Sequence, residues 1–222
     1  MYTGDLSTMY TTIPHGDLID KLRACIDEAV EYWAGLNGHD VAQCLFSVAR
    51  QQNGKFQAMF MRSRSSRDSF SSRNWTLART AVVDLITFLV DNIFVVNGRV
   101  VRRQCVGLPM GTNCAPVMAN LYLYAYESAF IDRVKMVRGL SAARLFHLSF
   151  RLIDDVLALD NPLLEQYIDV PAPDDLEGEE VGGIYPQALT LQRTSAHDAK
   201  RVEFLGMVLM DIQGRLEFDL FD

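Results

Sequence analysis

The sequence predicts an α+β fold, an antiparallel sheet backed by helices. Three observations predict it. Residues 17–33, 75–92 and 114–134 read as long helices, the first with Leu18, Leu22, Cys25, Ile26, Ala29, Val30 and Trp33 at helical spacing. Short apolar runs meet at Asn53-Gly54 and Asn97-Gly98, pairs that favour tight hairpins. The segments follow a β-α-β-β-α-β order once an early block of helices and hairpin is set aside as an insertion.

Residues 1–5 form the first strand. Asp17 can cap the first helix, and Gly35 and Gly38 end it. Residues 44–49 and 55–61 make a hairpin around Asn53-Gly54. Residues 62–73 (RSRSSRDSFSSR) read as a polar, mobile loop. Asn74 caps the second helix, and a second hairpin spans 93–105. Gly107 to Gly111 is a turn-rich loop that feeds the third helix. Residues 145–153 and 156–159 are strands flanking Asp154-Asp155, and 163–169 is a short helix. Residues 171–183 (PAPDDLEGEEVGG) are an acidic surface loop. Two strands, 202–211 and 215–220, turn at Gln213-Gly214. The whole is a ferredoxin/RRM-like sheet within a single domain of 222 residues, with an insertion over about 17–103.

Hydrophobic residues make up 49% of the chain, enough for a large core, and no composition bias points to a disordered or fibrous protein. No pair among Cys25, Cys44, Cys105 and Cys114 has C-x-x-C spacing, so neither a zinc site nor a redox motif is expected. No signal peptide is present, so an intracellular location is expected. The most apolar run, 81–96, is interrupted by Asp84 and Asp91 and is too short and charged for a bilayer.

Net charge is −7, but its distribution is uneven. From Asp154 to Glu180 there are ten acidic residues and no Lys or Arg, and the remainder carries +3. From Arg50 to Arg79 there are seven basic residues and one acid, Asp68. Such asymmetry suits a polyanion track and a cation site, but from charge alone two solvated loops account for it more readily.

Asp154 and Asp155 stand at a hairpin tip between apolar strands. Adjacent carboxylates repel, and a cation offsets that cost. Carboxylates and water suit magnesium, which substrate phosphates complete. Asp5, at the end of a neighbouring strand, can supply a third ligand. Two such ions about 3.5–4 Å apart serve an in-line displacement. A DD pair alone is an ordinary turn. The loop with Gly107, Pro109 and Gly111 adds weight, because its backbone can approach a nucleotide and template base closely before a helix begins.

Together the segments 5–15 (DLSTMYTTIPH), 104–116 (QCVGLPMGTNCAP) and 151–157 (RLIDDVL) closely resemble motifs A, B and C of the reverse transcriptase domain of Penelope-like retroelements and related eukaryotic reverse transcriptases. The string PMGTNCAP, in register with the other two motifs, is the most specific match. Residues 87–94, 160–162, 184–186 and 214–216 match as flanking pieces, so the resemblance covers the chain except 171–183. It implies a polymerase palm with a partial fingers insertion, the thumb absent. It implies that Asp5, Asp154 and Asp155 are the catalytic residues and hold two Mg2+ ions, with Mn2+ as an alternative, and that the Leu6 carbonyl joins the nucleotide-side metal. Tyr10 would lie beneath the sugar of the incoming nucleotide and favour dNTPs. Pro109, Met110 and Gly111 would line the nucleotide pocket, and Gln104 would contact the template. Phe204-Leu205-Gly206 resembles the primer-grip turn. Leu152 departs from the aromatic residue usual before the DD pair.

The function so implied is RNA-directed DNA polymerase, a nucleotidyltransferase of a retroelement, working on an RNA template, a DNA primer and dNTPs, with no membrane partner. The nucleus is the compartment expected of such an enzyme. Arg62, Arg64, Arg67, Arg73, Arg99, Arg102 and Arg103 are the expected contacts to the nucleic-acid backbone. Two rivals remain: a truncated, inactive reverse-transcriptase remnant, since the fingers strands before motif A are missing, and a non-catalytic RNA-binding module of RRM-like shape. The latter needs exposed aromatics on its sheet face.

Overall fold

The computed structural model describes residues 1–62, 74–173, 180–197 and 199–220. They form a mixed α+β structure of antiparallel sheets and five α-helical segments. The chain divides into two compact units, Met1–Pro14 with Val106–Asp222, and His15–Cys105. No helix among the described residues is long and apolar enough to cross a membrane.

The first unit begins with strand β1 (Tyr2–Asp5) and the single turn α1 (Met9–Thr12). The second unit then opens with helix α2 (His15–Asn37). It starts two residues earlier than Asp17, which lies in the first turn rather than at the cap, where its charge suits the helix dipole. Gly35 is inside the helix, and Gly38, at φ 63°, follows its end. The buried stripe is Leu18, Leu22, Val30 and Ala34; Ala29, expected in it, is exposed.

Strands β2 (Cys44–Arg50) and β3 (Phe56–Arg62) make the expected hairpin, with Gly54 at φ 80° in its loop. The expected loop at 62–73 lies outside the described residues apart from Arg62. The helix expected from residue 75 is a correction. Residues 74–78 are instead strand β4 (Asn74–Ala78), paired with β2 from Leu45↔Ala78 to Ala49↔Asn74, and helix α3 runs only over Arg79–Asp91. Sheet pairing along the open edge of β2 outweighs helical spacing here, and Trp75 and Thr76 suit a strand. Val30, Ala34 and Cys44 form a core with Trp33, Phe46 and Phe60 packed around it. The second hairpin is β5 (Phe94–Asn97) and β6 (Val100–Arg103). Asn97 pairs with Val100, so the turn is Gly98-Arg99 rather than Asn97-Gly98, with Gly98 taking the positive φ of 63°.

The chain returns to the first unit at Val106. Helix α4 (Ala115–Ala143) carries Pro116 in its first turn, where a missing N–H costs little. It continues past the expected end at 134 and is broken at Gly139, φ 83°. Met118, Tyr122, Tyr126, Phe130 and Val134 recur along its buried face. The Phe130 ring meets Phe146 and Tyr167 edge-on, at 5.1 and 5.0 Å between centroids.

Strand β7 (Ser149–Leu152) is shorter than the run expected over 145–153, because residues 144–146 form a 3-10 turn. It pairs with β8 (Asp155–Ala158), which is followed by helix α5 (Glu165–Ile168) and the short strand β9 (Gln192–Arg193), absent from the sequence expectation. The strands form one sheet in the order β7-β8-β1-β9, with every neighbour antiparallel. The acidic loop is anchored at both ends rather than lying wholly on the surface. Ala172 and Val181 are buried, and buried Arg133 donates to the carbonyls of Val181 (2.8 Å) and Gly183 (3.0 Å). Residues 174–179 are outside the described set.

The last sheet is β10 (Arg201–Phe204), β11 (Met207–Ile212) and β12 (Arg215–Leu220). The single strand expected over 202–211 is split at Leu205-Gly206, both at positive φ, and Gln213-Gly214 makes the next turn in the same way. Leu157 of β8 packs with Val202 and Leu209 of this sheet.

Gly107 combines a left-handed backbone with a close backbone approach, so it cannot accept a side chain without a shift. At φ 80° a Cβ there would stand 2.4 Å from the Tyr10 carbonyl oxygen and 2.9 Å from Thr11 Cα, both backbone. Gly98 has φ 63° and open space. Gly107→Ala is expected to lose at least ~3 kcal/mol, and Gly98→Ala about 1 kcal/mol. Urea denaturation of both variants measures the difference, and equal losses would show that the close approach at Gly107 is not constraining.

Candidate active site

Strand pairing sets the site. Asp5 is directly opposite Asp155 on one side and Gln192 on the other, and Asp155 is opposite Leu152. Opposite residues share a sheet face, so Leu152, Asp155, Asp5 and Gln192 form one row. Asp155, Leu152 and Gln192 are exposed and Asp5 is half-buried. The alternate residues Arg151, Val156, Gly4 and Arg193 point to the other face, where Arg151 meets Asn120 and Glu127 of α4. The carboxylate face is therefore the face away from α4.

Asp154 stands in the two-residue turn between β7 and β8, not in a strand. Its carbonyl accepts from the Leu6 N–H at 2.9 Å. Its partner in the turn, Ile153, has φ 56°. A β-branched residue there is strained, on the order of 1–3 kcal/mol, and such strain concentrates at functional positions.

The segment after Asp5 joins the glycine-proline loop. Gly107 N–H donates to the Ile13 carbonyl (2.8 Å), Leu108 N–H to the Tyr10 carbonyl (2.7 Å), and Pro14 bridges Val106. Leu6 is buried, and its carbonyl accepts from Met9 N–H at 2.8 Å. Half-buried Tyr10 has a raised phenol pKa, from burial first and then from the charge of Asp154. Pro109 is half-buried, Met110 is 71% exposed, and Gly111, at φ 97°, has no neighbour within 4 Å of where a Cβ would be. Asp5 and Asp155 thus share one face, with Asp154 in the adjoining turn acting on Tyr10, buried Leu6 beneath, and the loop hydrogen-bonded to their segment.

The arginines and Gln104 belong to the other unit. Gln104 donates its backbone N–H to the Ile93 carbonyl. Arg62 holds Gln43 at 2.9 Å, and Arg103 is paired with Asp91 at 2.8 Å. Arg99 and Arg102 are exposed on the second hairpin. Arg64, Arg67 and Arg73 lie outside the described residues.

Burial first, then the charges of Asp154 and Asp155, raise the Asp5 carboxyl above its ordinary value, and burial and Asp154 do the same to Asp155. No hydrogen bond or ion pair to these carboxylates comes from the described residues. No three Asp, Glu, His or Cys side chains among the described residues already stand in a metal-holding arrangement. The donor set, three neighbouring carboxylates at one end of the two central strands and in the turn beside them, fits a hard divalent cation.

Sequence reasoning missed the support beneath the turn. Arg151 is bound to both oxygens of Glu127 and to Asn120, and the Tyr185 hydroxyl donates to Glu127 at 2.7 Å. The available signal was an arginine in a half-buried strand, which requires a carboxylate, together with Asn120 and Glu127 seven residues apart on one helix face. Burial pulls the Arg151 pKa down, but the hydrogen bond and charge of Glu127 outweigh it and the net shift is upward. Thr3 was also missed; it accepts from Thr194 N–H at 2.9 Å and donates its own N–H to the Ser195 hydroxyl at 3.1 Å, fixing the other edge of β1.

No protein-family model and no curated protein matches the chain.

A carboxyl whose pKa is higher folded than unfolded contributes stability below its unfolded pKa and loses it as pH rises through the folded value. Asp5 and Asp155 therefore weigh against the fold at neutral pH. Asp155→Asn is expected to raise the melting midpoint by about 1–2 °C near pH 7, and the gain should vanish near pH 3, where carboxyls are protonated. Thermal melts across that range read it; a lower midpoint at neutral pH would contradict the repulsion.

Proposed function

We propose that the chain is the palm of an RNA-directed DNA polymerase, with residues 15–105 as its partial fingers insertion, related to the reverse transcriptases of Penelope-like retroelements. One observation carries this reading: three distant segments, 5–14, 106–108 and 153–155, are hydrogen-bonded into one site around Asp5, Asp154 and Asp155. The strand order β7-β8-β1-β9, all antiparallel, supports it as the order of a β-α-β-β-α-β sheet.

Asp5, Asp154 and Asp155 would hold two Mg2+ or Mn2+ ions, aided by the Leu6 carbonyl. When bound, the ions supply Lewis acidity at the attacking 3′-hydroxyl and at the leaving pyrophosphate. The carboxylates would orient primer end and dNTP on the open face of the sheet. The Tyr10 ring would lie against the sugar and exclude a 2′-hydroxyl. The Pro109-Met110-Gly111 turn would border the nascent base pair, with Gly111 leaving room for close approach. Arg62, Arg64, Arg67, Arg73, Arg99, Arg102 and Arg103 would bind phosphates, and Gln104 the template. The RNA-binding-module reading is weaker, because the central strands present Asp5 and Asp155 where such modules present aromatic rings.

Primer extension with Mg2+ on RNA and DNA templates tests the proposal. The wild type should extend, and Asp154→Asn should lower the rate by at least about 10³-fold. Absence of extension by the wild type, with primer-template binding intact, would leave the inactive-remnant reading standing. Arg99→Ala or Arg102→Ala should weaken binding across sequences and reduce the salt slope of affinity by about 1; an unchanged slope removes that arginine from the nucleic-acid interface.

A further inference from the structure

Arg151 stands on the sheet face opposite the carboxylates, and its side chain is 12% exposed. Nε and Nη2 donate to the two oxygens of Glu127 at 2.6 and 3.1 Å. Nη1 donates to Asn120 Oδ1 at 2.6 Å, and Nη2 also reaches the Asn120 carbonyl at 3.3 Å. The remaining bond runs from Nη1 to the Ile153 carbonyl at 3.1 Å. Among these acceptors only Ile153 belongs to the turn, and it is the residue at positive φ. The next carbonyl, that of Asp154, is held from β1 by Leu6 N–H. The turn is thus gripped at two successive carbonyls, from α4 through Arg151 and from β1 through Leu6.

We infer that Arg151 is a positioning residue: locked by Glu127 and Asn120 of α4, it holds the Ile153-Asp154 turn so that Asp154 and Asp155 stay in register with Asp5. Its catalytic consequence rests on the proposed metal-holding role of those aspartates; its local consequence does not. The planar fork spans a carboxylate, an amide and a turn carbonyl at once, and a lysine ammonium cannot reach all three. Outer partners of this kind set the geometry of a metal site without touching the metal.

Hydrogen exchange and Mn2+ binding together test this in the full chain. Leu6 N–H reports the turn, and Thr3 N–H, bonded to Ser195 at the other edge of β1, reports the strand as a whole. In Arg151→Lys and Arg151→Met, Leu6 exchange should quicken about tenfold or more relative to Thr3, and the Mn2+ midpoint from EPR titration should rise about tenfold. Asn120→Ala, which keeps the Glu127 pair, should produce a smaller change of the same kind and remains informative should the Arg151 variants fail to fold. In an active enzyme kcat should fall with the dNTP KM unchanged. Equal quickening of Leu6 and Thr3, or no change in either, would overturn the positioning role. Absence of Mn2+ binding by the wild type would sink the metal-site reading, while the exchange ratio still decides the clamp.

Discussion

The antiparallel pairing of β1 with β8 is the constraint on which the rest depends. Tyr2, Thr3, Gly4 and Asp5 lie opposite Ala158, Leu157, Val156 and Asp155, so segments far apart in the chain share one sheet. The register is also a choice of face. A slip of one residue would turn Asp5 toward α4 and away from Asp155. Buried Tyr2 and Val156 and the packing of Leu157 against Val202 and Leu209 oppose that slip, because each would lose its core environment.

The same pairing creates an electrostatic cost. It brings Asp5 beside Asp155 with Asp154 at the adjoining turn, and burial first, then that repulsion, raises the carboxyl pKa values. The site tolerates it by standing at one end of the two central strands, where Asp155 is exposed and water screens its charge. A buried cluster of three carboxylates would require compensation from the protein itself. The opposite face holds the compensated charges instead, where Glu127 is matched by Arg151. The satisfied pair lies below and the unsatisfied carboxylates above, and the proposed cation site rests on that division.

Much of the architecture was legible in local signals. The hairpin at 53–54, the long helix after the proline-glycine loop and the strands around the aspartates follow from turn residues and apolar spacing. The failures share a cause. Residues 74–78 read as helix by local pattern, but β2 offered an unpaired edge, and Trp75 and Leu77 took it. The run 202–211 read as one strand by local pattern although the resemblance marked Phe204-Leu205-Gly206 as a turn, and the pairing of Phe204 with Met207 places the bend there. The strained Ile153 was unreadable by local pattern as well. Isoleucine is a strand residue by propensity, and only tertiary contacts hold it at positive φ.

The sequence by itself singled out the residues of the proposed site, since the carboxylates, the glycines of the loop and the string around them are matters of identity and spacing. It also determined the α+β class, through the two periodicities of its apolar residues. Only the tertiary structure decided that Asp5 faces Asp155, that the Ile13 and Tyr10 carbonyls fasten the loop, and that Arg151 holds the turn from beneath. These are contacts between residues remote in the chain. Their hydrogen bonds and register depend on which edges meet in space, and no local pattern encodes that.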